Sequence, residues 1–348
     1  MSSNYTSSPR PTPSEMERQA IINGNFDIWQ RDTNFVNPAS GSYTADRFTV
    51  DIGTGGTFPT TLTHSRLTLA SGDLGGSFYG YRLTTDGAGS GFTSGAHYFV
   101  NQLIENGTRF LCGAGKAVTV SFYAKSDIAG KRIGVSPAQF YGTGGSPSNA
   151  EVDLPGTNFT LTNSWQRFSH TFLTNTLSGK TFGTNNDDYL SIRIGYMWGS
   201  GWNTNFGSST TESFGGSGTI DIAQFQVCSG TTALPFQPRL VPEEQELCHR
   251  YFRVGGFGAF GRWDSDTELQ VFGQFDVPMR KTPTITLNTT SPQFSEVGVG
   301  NKTGTNSTIT GQSASETGYQ VFVDGFTGAT VGNMAAVLSN PFNIDAEL

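Results

Sequence analysis

Apolar residues recur at every second position through much of the chain. Phe48, Val50 and Ile52 alternate, as do Val118, Val120, Phe122 and Ala124 against Thr119, Ser121, Tyr123 and Lys125. Phe168, His170 and Phe172 repeat the pattern after Trp165. Leu190, Ile192, Ile194, Tyr196 and Trp198 repeat it against Ser191, Arg193 and Gly195. A period of two marks a half-buried strand, because successive side chains point to opposite faces of a sheet. Turn sequences such as Thr54-Gly55-Gly56, Thr143-Gly144-Gly145-Ser146 and Gly215-Gly216-Ser217-Gly218 separate the runs. No segment carries a convincing amphipathic helix. Many short strands with almost no helix predict an all-β protein, with a jelly-roll β-sandwich over residues 21–230.

The pattern changes at both ends of that stretch. Residues 1–20 read as an extended arm, with Pro9, Arg10, Pro11 and Pro13 favouring polyproline-like backbone. Such an arm suits docking on a partner, and Ser14 to Arg18 fits a single helical turn. Residues 231–250 form a Pro-rich linker and a short helix. Pro235, Pro238 and Pro242 break any strand there, and the run from Pro242 to Arg250 places acids early and bases late, as the helix dipole favours. Strand signals return at Leu269–Val277, Pro283–Leu287, Tyr319–Val323 and Ala335–Ile344. They predict a smaller C-terminal β-sandwich over residues 251–348, joined to the jelly roll by the short helix.

Composition narrows the function. Charged residues are 14% of the 348, against about 25% in most soluble domains. The mean hydropathy is nonetheless −0.30, so the polar surface consists of neutral hydroxyl and amide groups. Lys and Arg number 21 against 28 Asp and Glu, a net charge of −7. No basic stripe is available to neutralise phosphates, so nucleic acid is not an expected partner. No apolar run approaches the ~18 residues that span a bilayer, so no membrane insertion is expected. Met1 to Gln19 is Ser-, Pro- and Thr-rich and does not read as a signal peptide. The scattered Cys112, Cys228 and Cys248 provide neither a disulfide framework nor a CxxC metal spacing.

Catalysis finds little to stand on. His64, His97, His170 and His249 sit in no HxxxH or HExxH arrangement. Glycoside hydrolysis needs two carboxylates facing one sugar bond. The dense acidic pairs Asp187-Asp188 and Asp264-Ser265-Asp266 lie in turn-like sequence, where Asx-turns account for them. No GxSxG appears. The expectation is a protein that binds and does not catalyse. Asp46 and Arg47 are adjacent, so in a strand they would point to opposite faces. The segment from Met197 to Phe206 combines aromatics, amides and glycines. Trp198 continues the alternation of Ile194 and Tyr196 and reads as core. Trp202, Asn203, Asn205 and Phe206 read as a loop that either stacks on a glycan or packs against a neighbouring subunit.

Two families resemble the chain. Asn23-Gly24-Asn25-Phe26-Asp27-Ile28-Trp29, the run Val118 to Ser126, Trp165-Gln166-Arg167-Phe168 and the run Ile220 to Val227 resemble, in that order, the jelly-roll carbohydrate-binding modules of polysaccharide-degrading enzymes. Ile22 to Arg31, Tyr43-Thr44-Ala45-Asp46-Arg47-Phe48, Pro235-Phe236-Gln237-Pro238-Arg239 and Glu246 to Phe252 resemble bacteriophage virion proteins, chiefly tail fibres. Pro278 to Ile285 and the terminal Asp345-Ala346-Glu347-Leu348 look like the ends of the same phage proteins. The resemblance implies a virion component made in the host cytoplasm, a tail fibre or receptor-binding protein that contacts host-surface glycans. It also implies a homotrimer attached to other virion proteins, here through the N-terminal arm. Two alternatives stay open: a capsid decoration or head-fibre protein, and a carbohydrate-binding module of a glycan-active protein. The module resemblance further implies a place for structural calcium near the first and last strands, where Asp27 and Asp221 stand; no other cofactor is expected.

Overall fold

The structure, a computed structural model, describes residues 13–256 and 259–348. Pro9, Arg10 and Pro11, the residues expected to dock the arm on a partner, fall outside that range. Pro13 opens the short helix α1 (Pro13–Arg18). The described residues divide into two compact units, the first ending at Glu244 and the second covering Gln245–Glu347.

The first unit holds β1 (Asn34–Val36), β2 (Phe48–Gly53), β3 (Leu62–Thr68), β4 (Tyr79–Gly87), β5 (His97–Glu105), α2 (Gly107–Leu111), β6 (Ala117–Ser126), β7 (Arg132–Phe140), β8 (Thr157–Thr160), β9 (Gln166–Leu173), β10 (Tyr189–Trp198) and β11 (Gly216–Ser229). A six-stranded sheet in the order β1-β3-β4-β11-β6-β9 packs on a five-stranded sheet in the order β2-β5-β10-β7-β8. All pairings are antiparallel, and the two sheets make a jelly-roll β-sandwich. The alternating residues seen in the sequence supply its core. Phe48, Val50, Val118, Val120, Phe122, Leu190, Ile192 and Ile194 are all buried between the sheets, with Phe26, Tyr81 and Phe225.

This core contains one polar column. His64 is fully enclosed, with Nδ1 2.5 Å from the Tyr81 hydroxyl and Nε2 2.6 Å from the Tyr98 hydroxyl. Tyr81 also meets the Thr44 hydroxyl at 2.7 Å. Burial holds the imidazole neutral and pushes its pKa down to about 3.

Helix α3 (Val241–His249) carries Glu243 and Glu244 in its first turn and His249 in its last, and the boundary between the two units falls within it. The second unit contains β12 (Phe252–Gly255), β13 (Phe260–Trp263), β14 (Leu269–Gln274), β15 (Thr284–Leu287), β16 (Gln293–Glu296), β17 (Gly300–Thr303), β18 (Ile309–Ala314), β19 (Gly318–Val323), β20 (Met334–Val337) and β21 (Phe342–Asp345). A three-stranded sheet, β12-β21-β15, and a seven-stranded sheet, β17-β16-β20-β13-β14-β19-β18, enclose a core of Trp263, Val271, Phe294, Val321, Phe326, Phe342 and Ile344. The sequence reads Ala335–Ile344 as one strand. The structure splits it into β20 and β21, because Pro341 removes a ladder donor and favours a break before it. Among the described residues no helix is long and apolar enough to cross a membrane.

Candidate functional site

Three of the segments that carry the phage resemblance, Ile22 to Arg31, Tyr43 to Phe48 and Pro235 to Arg239, lie in the first unit, and there they build structure. Asn23 is buried and its Nδ2 donates to the carbonyls of Ile28 (2.7 Å) and Asp46 (3.0 Å), while its Oδ1 accepts from the Ile28 N–H (2.9 Å). The Asn23 N–H donates to Glu244 at 2.7 Å. Asp46 accepts from the Gln30 N–H at 2.9 Å. Arg239 donates to the carbonyls of Gln19 (2.6 Å) and Ile21 (2.8 Å) and pairs with Glu244 at 3.1 Å. A Cβ on Gly24 would stand 2.1 Å from the Phe225 carbonyl oxygen, so only glycine fits there. Asp46 and Arg47 lie in a turn, not a strand. Arg47 has φ +70°, and its guanidinium donates to the Leu103 carbonyl at 2.8 Å.

The two carboxylates with the implied calcium role have different surroundings. Asp221 on β11 is bidentate with Arg82, at 2.7 and 2.8 Å, and lies 3.9 Å from Lys125. A calcium ion would have to displace a guanidinium from both of its oxygens, which corrects the assignment of Asp221 as a ligand. Asp27 accepts from Asn25 at 3.0 Å, and its Oδ1 has no partner. Burial raises its pKa, the Asn25 bond and Arg66 opposing. No group of three or more His, Cys, Asp or Glu side chains suited to a metal occurs among the described residues. The pair Asp187-Asp188 is held by partners far away along the chain, which corrects its reading as an Asx-turn. Asp187 accepts from the Thr143 N–H (2.7 Å) and hydroxyl (2.5 Å), and Asp188 from Arg109 (2.9 Å). Asp264 and Asp266 lie in a turn.

The aromatic loop after β10 differs from its sequence reading in two ways. It forms two short 3-10 turns, Ser200–Trp202 and Thr204–Phe206. A bulge between Gly195 and Met197 reverses the alternation of β10. Trp198 is buried as expected, but with Phe99 and Phe206 in a separate aromatic cluster and not with Ile194. Phe206 is 0% exposed and lies on Gly134 and Gly195, where a Cβ would come within 2.2 and 2.5 Å of its ring. Asn205 is 7% exposed and donates to the Val152 carbonyl at 2.7 Å. Both residues hold the loop down, so the expectation that they meet a glycan is corrected. Trp202 and Asn203 are half-buried, and Asn203 Oδ1 has no hydrogen-bond partner.

Trp202 borders a polar row that sequence reasoning missed. Tyr189, Ser191 and Arg193 of β10 alternate with the core residues Leu190, Ile192 and Ile194, and so face away from the core. In register, Arg193 stands opposite Asn101 of β5 and Ser136 of β7, and Asn101 stands opposite Thr49 of β2. The four side chains cross four strands in one line, with neighbours about 5 Å apart. Their exposures are 9% for Thr49, 6% for Asn101, 6% for Arg193 and 0% for Ser136. Arg193 Nη1, Asn101 Oδ1 and Ser136 Oγ have no hydrogen-bond partner.

Aromatic rings flank the row. The Arg193 guanidinium is 5.5 Å from the Trp202 ring and 5.8 Å from the Phe140 ring. Phe140 stacks on Tyr189 at 4.4 Å. Trp202 stands edge-on to His97 and Phe99, each at 4.8 Å. Next to the row, Asp51 meets His97 Nε2 at 3.3 Å. The His97 bond above all, then Arg193 and Asn101, hold the Asp51 carboxyl below its usual range. Burial acts the other way on Arg193 and disfavours its cation. Asn101 keeps an acceptor, Oδ1, without a partner beside Arg193. The face thus offers a donor, an acceptor and a hydroxyl that can be either, between rings.

The second unit has a groove of about 770 Å³ lined by Arg253, Phe260, Phe272, Gln274 and Tyr319, among others. None of these side chains carries a buried polar atom without a partner, so the groove makes no comparable demand on a ligand.

No family model matches the chain, and no curated protein matches it. Among solved structures it is similar to the enzymatically active domain of tailspike protein 4 of bacteriophage CBA120, at 14% identity and a TM-score of 0.32 over 61% of this chain. This chain covers 21% of that one. It is similar to a CBM4 structure at 18% identity and a TM-score of 0.33, covering 60% of this chain and 99% of that one. A family 11 carbohydrate-binding module of Clostridium thermocellum, in complex with a β-1,3-1,4-mixed-linked tetrasaccharide, shares 14% identity at a TM-score of 0.31, covering 56% of this chain and 95% of that one.

Proposed function

We propose that this protein is a non-enzymatic part of a bacteriophage virion, a tail fibre or receptor-binding protein, that binds host-surface saccharide on the outer face of β2, β5, β10 and β7. One observation carries the binding reading. Arg193 Nη1, Asn101 Oδ1 and Ser136 Oγ are buried and unpartnered in one row between Trp202 and the Phe140–Tyr189 stack. Leaving buried polar groups unsatisfied costs about 1–3 kcal/mol each. A ligand with a belt of hydroxyls and apolar C–H faces would satisfy the row and cover the rings. Saccharides have that build.

The virion setting rests on the sequence resemblance. Several copies on one particle would supply the avidity that a shallow site lacks. The same face would serve a carbohydrate-binding module outside a virion, and antibody labelling of virions in micrographs separates the two settings. Trp202→Ala should weaken adsorption to host envelope polysaccharide at least tenfold while assembly stays normal. Equal adsorption by the variant would remove the face from the reading. The polysaccharide should keep its chain length on incubation with the protein, as checked by gel filtration.

A further inference from the structure

We infer that this face selects a neutral glycan carrying vicinal hydroxyls and discriminates against acidic glycans. The inference rests on the saccharide reading above and names its substrate class. Arg193 alone would suggest the opposite, since a buried guanidinium with a free Nη1 is a natural partner for a carboxylate. Its neighbours decide against that. Asn101, directly across the strand pair, carries an unpartnered acceptor oxygen. A carboxylate has no hydrogen to give it, so bound there it would satisfy Arg193 and leave Asn101 Oδ1 facing another lone pair. Asp51, next to the row, already acts on Arg193 as a negative charge and would repel a second one.

A hydroxyl both donates and accepts. Two hydroxyls on adjacent ring carbons can accept from Arg193 Nη1 and donate to Asn101 Oδ1, and Ser136 Oγ can join from the other side of Arg193. The row therefore matches a diol on one sugar ring. Trp202 at one end and the Tyr189–Phe140 stack at the other are placed to cover ring faces. The Trp202 and Phe140 rings stand 5.5 and 5.8 Å from the Arg193 guanidinium, so they border the same short stretch of ligand.

The test is calorimetric titration of the full chain with two panels. One holds neutral oligosaccharides of glucose, galactose and mannose; the other holds oligosaccharides containing uronic or sialic acid. The expected result is binding in the neutral panel only, unchanged between about 0.05 and 0.5 M salt. Periodate cleavage of the vicinal diols, followed by borohydride reduction, should abolish it. Asn101→Asp replaces the acceptor with a carboxylate that pairs with Arg193 and should weaken neutral binding at least tenfold. Ser136→Ala reads the same row should Asn101→Asp fail to fold. Tighter binding of acidic glycans that Trp202→Ala abolishes, or neutral binding indifferent to periodate, overturns the inference and leaves the saccharide reading standing. No binding by either panel or by host envelope polysaccharide overturns both.

Discussion

His64 shows how much a single side chain can set. It sits between Tyr81 and Tyr98 with both ring nitrogens engaged and is kept neutral by burial, its pKa pushed down to about 3. In the unfolded chain the same imidazole titrates near 6.5, as an ordinary His does. Between those values the unfolded state binds a proton that the folded state refuses, so stability falls as the pH drops from about 6.5 toward 3. Each unit of difference corresponds to about 1.4 kcal/mol. Melting temperature should decline steeply between about pH 6.5 and 4, and His64→Gln should flatten the decline while lowering the value at neutral pH. A parallel decline in the variant would assign the acid sensitivity to other groups. At this scale the sequence revealed little of the site. Trp202 and Asn203 could be read from a loop rich in aromatics and amides. Arg193 was visible as a charge facing outward on an apolar strand, but Asn101 and Ser136 meet it only through strand pairing at separations of 92 and 57 residues. Alternation places a residue on a face; it does not reveal its cross-strand neighbour.

Elements were more legible, because period two survives wherever one face is buried. β2, β6, β9 and β10 appear where the alternation places them, and α3 appears where proline, acids and histidine mark it. The failures have a common physical cause, a local break in periodicity. The bulge in β10 moved Trp198 to the other side of the sheet, and Pro341 divided a run that composition made look continuous. The bulge shapes the candidate face. It brings the aromatic cluster onto Gly134 and Gly195, and Trp202 stands on that cluster through Phe99. Gly195→Val would place its side chain inside the Phe206 ring, which is enclosed and has nowhere to go. A loss of about 1–3 kcal/mol is expected, together with a shift in tryptophan fluorescence as Trp202 loses its support. An unchanged urea midpoint would mean that the loop repacks freely.

For the whole molecule, low charge combined with neutral polarity pointed to an all-β build, and both units have it. Three of the motif blocks behind the phage resemblance, those in the first unit, form a buried clasp. It ties the segment 19–30 to the turn at Asp46 and to Arg239 and Glu244. Removing one member of a buried ion pair strands the other, at a cost of about 3–5 kcal/mol. Arg239→Ala should therefore destabilise the first unit by about that much in urea titrations, and Arg239→Lys by less. A change below 1 kcal/mol would mean that Glu244 finds water on its own.

That clasp has a geometric corollary. Gln19 lies where the chain enters the jelly roll and Arg239 where it leaves, and two hydrogen bonds of 2.6 and 2.8 Å fasten the exit to the entrance. A module with a single doorway can be spliced into a surface loop of another protein, since neither host nor guest must stretch to join the ends.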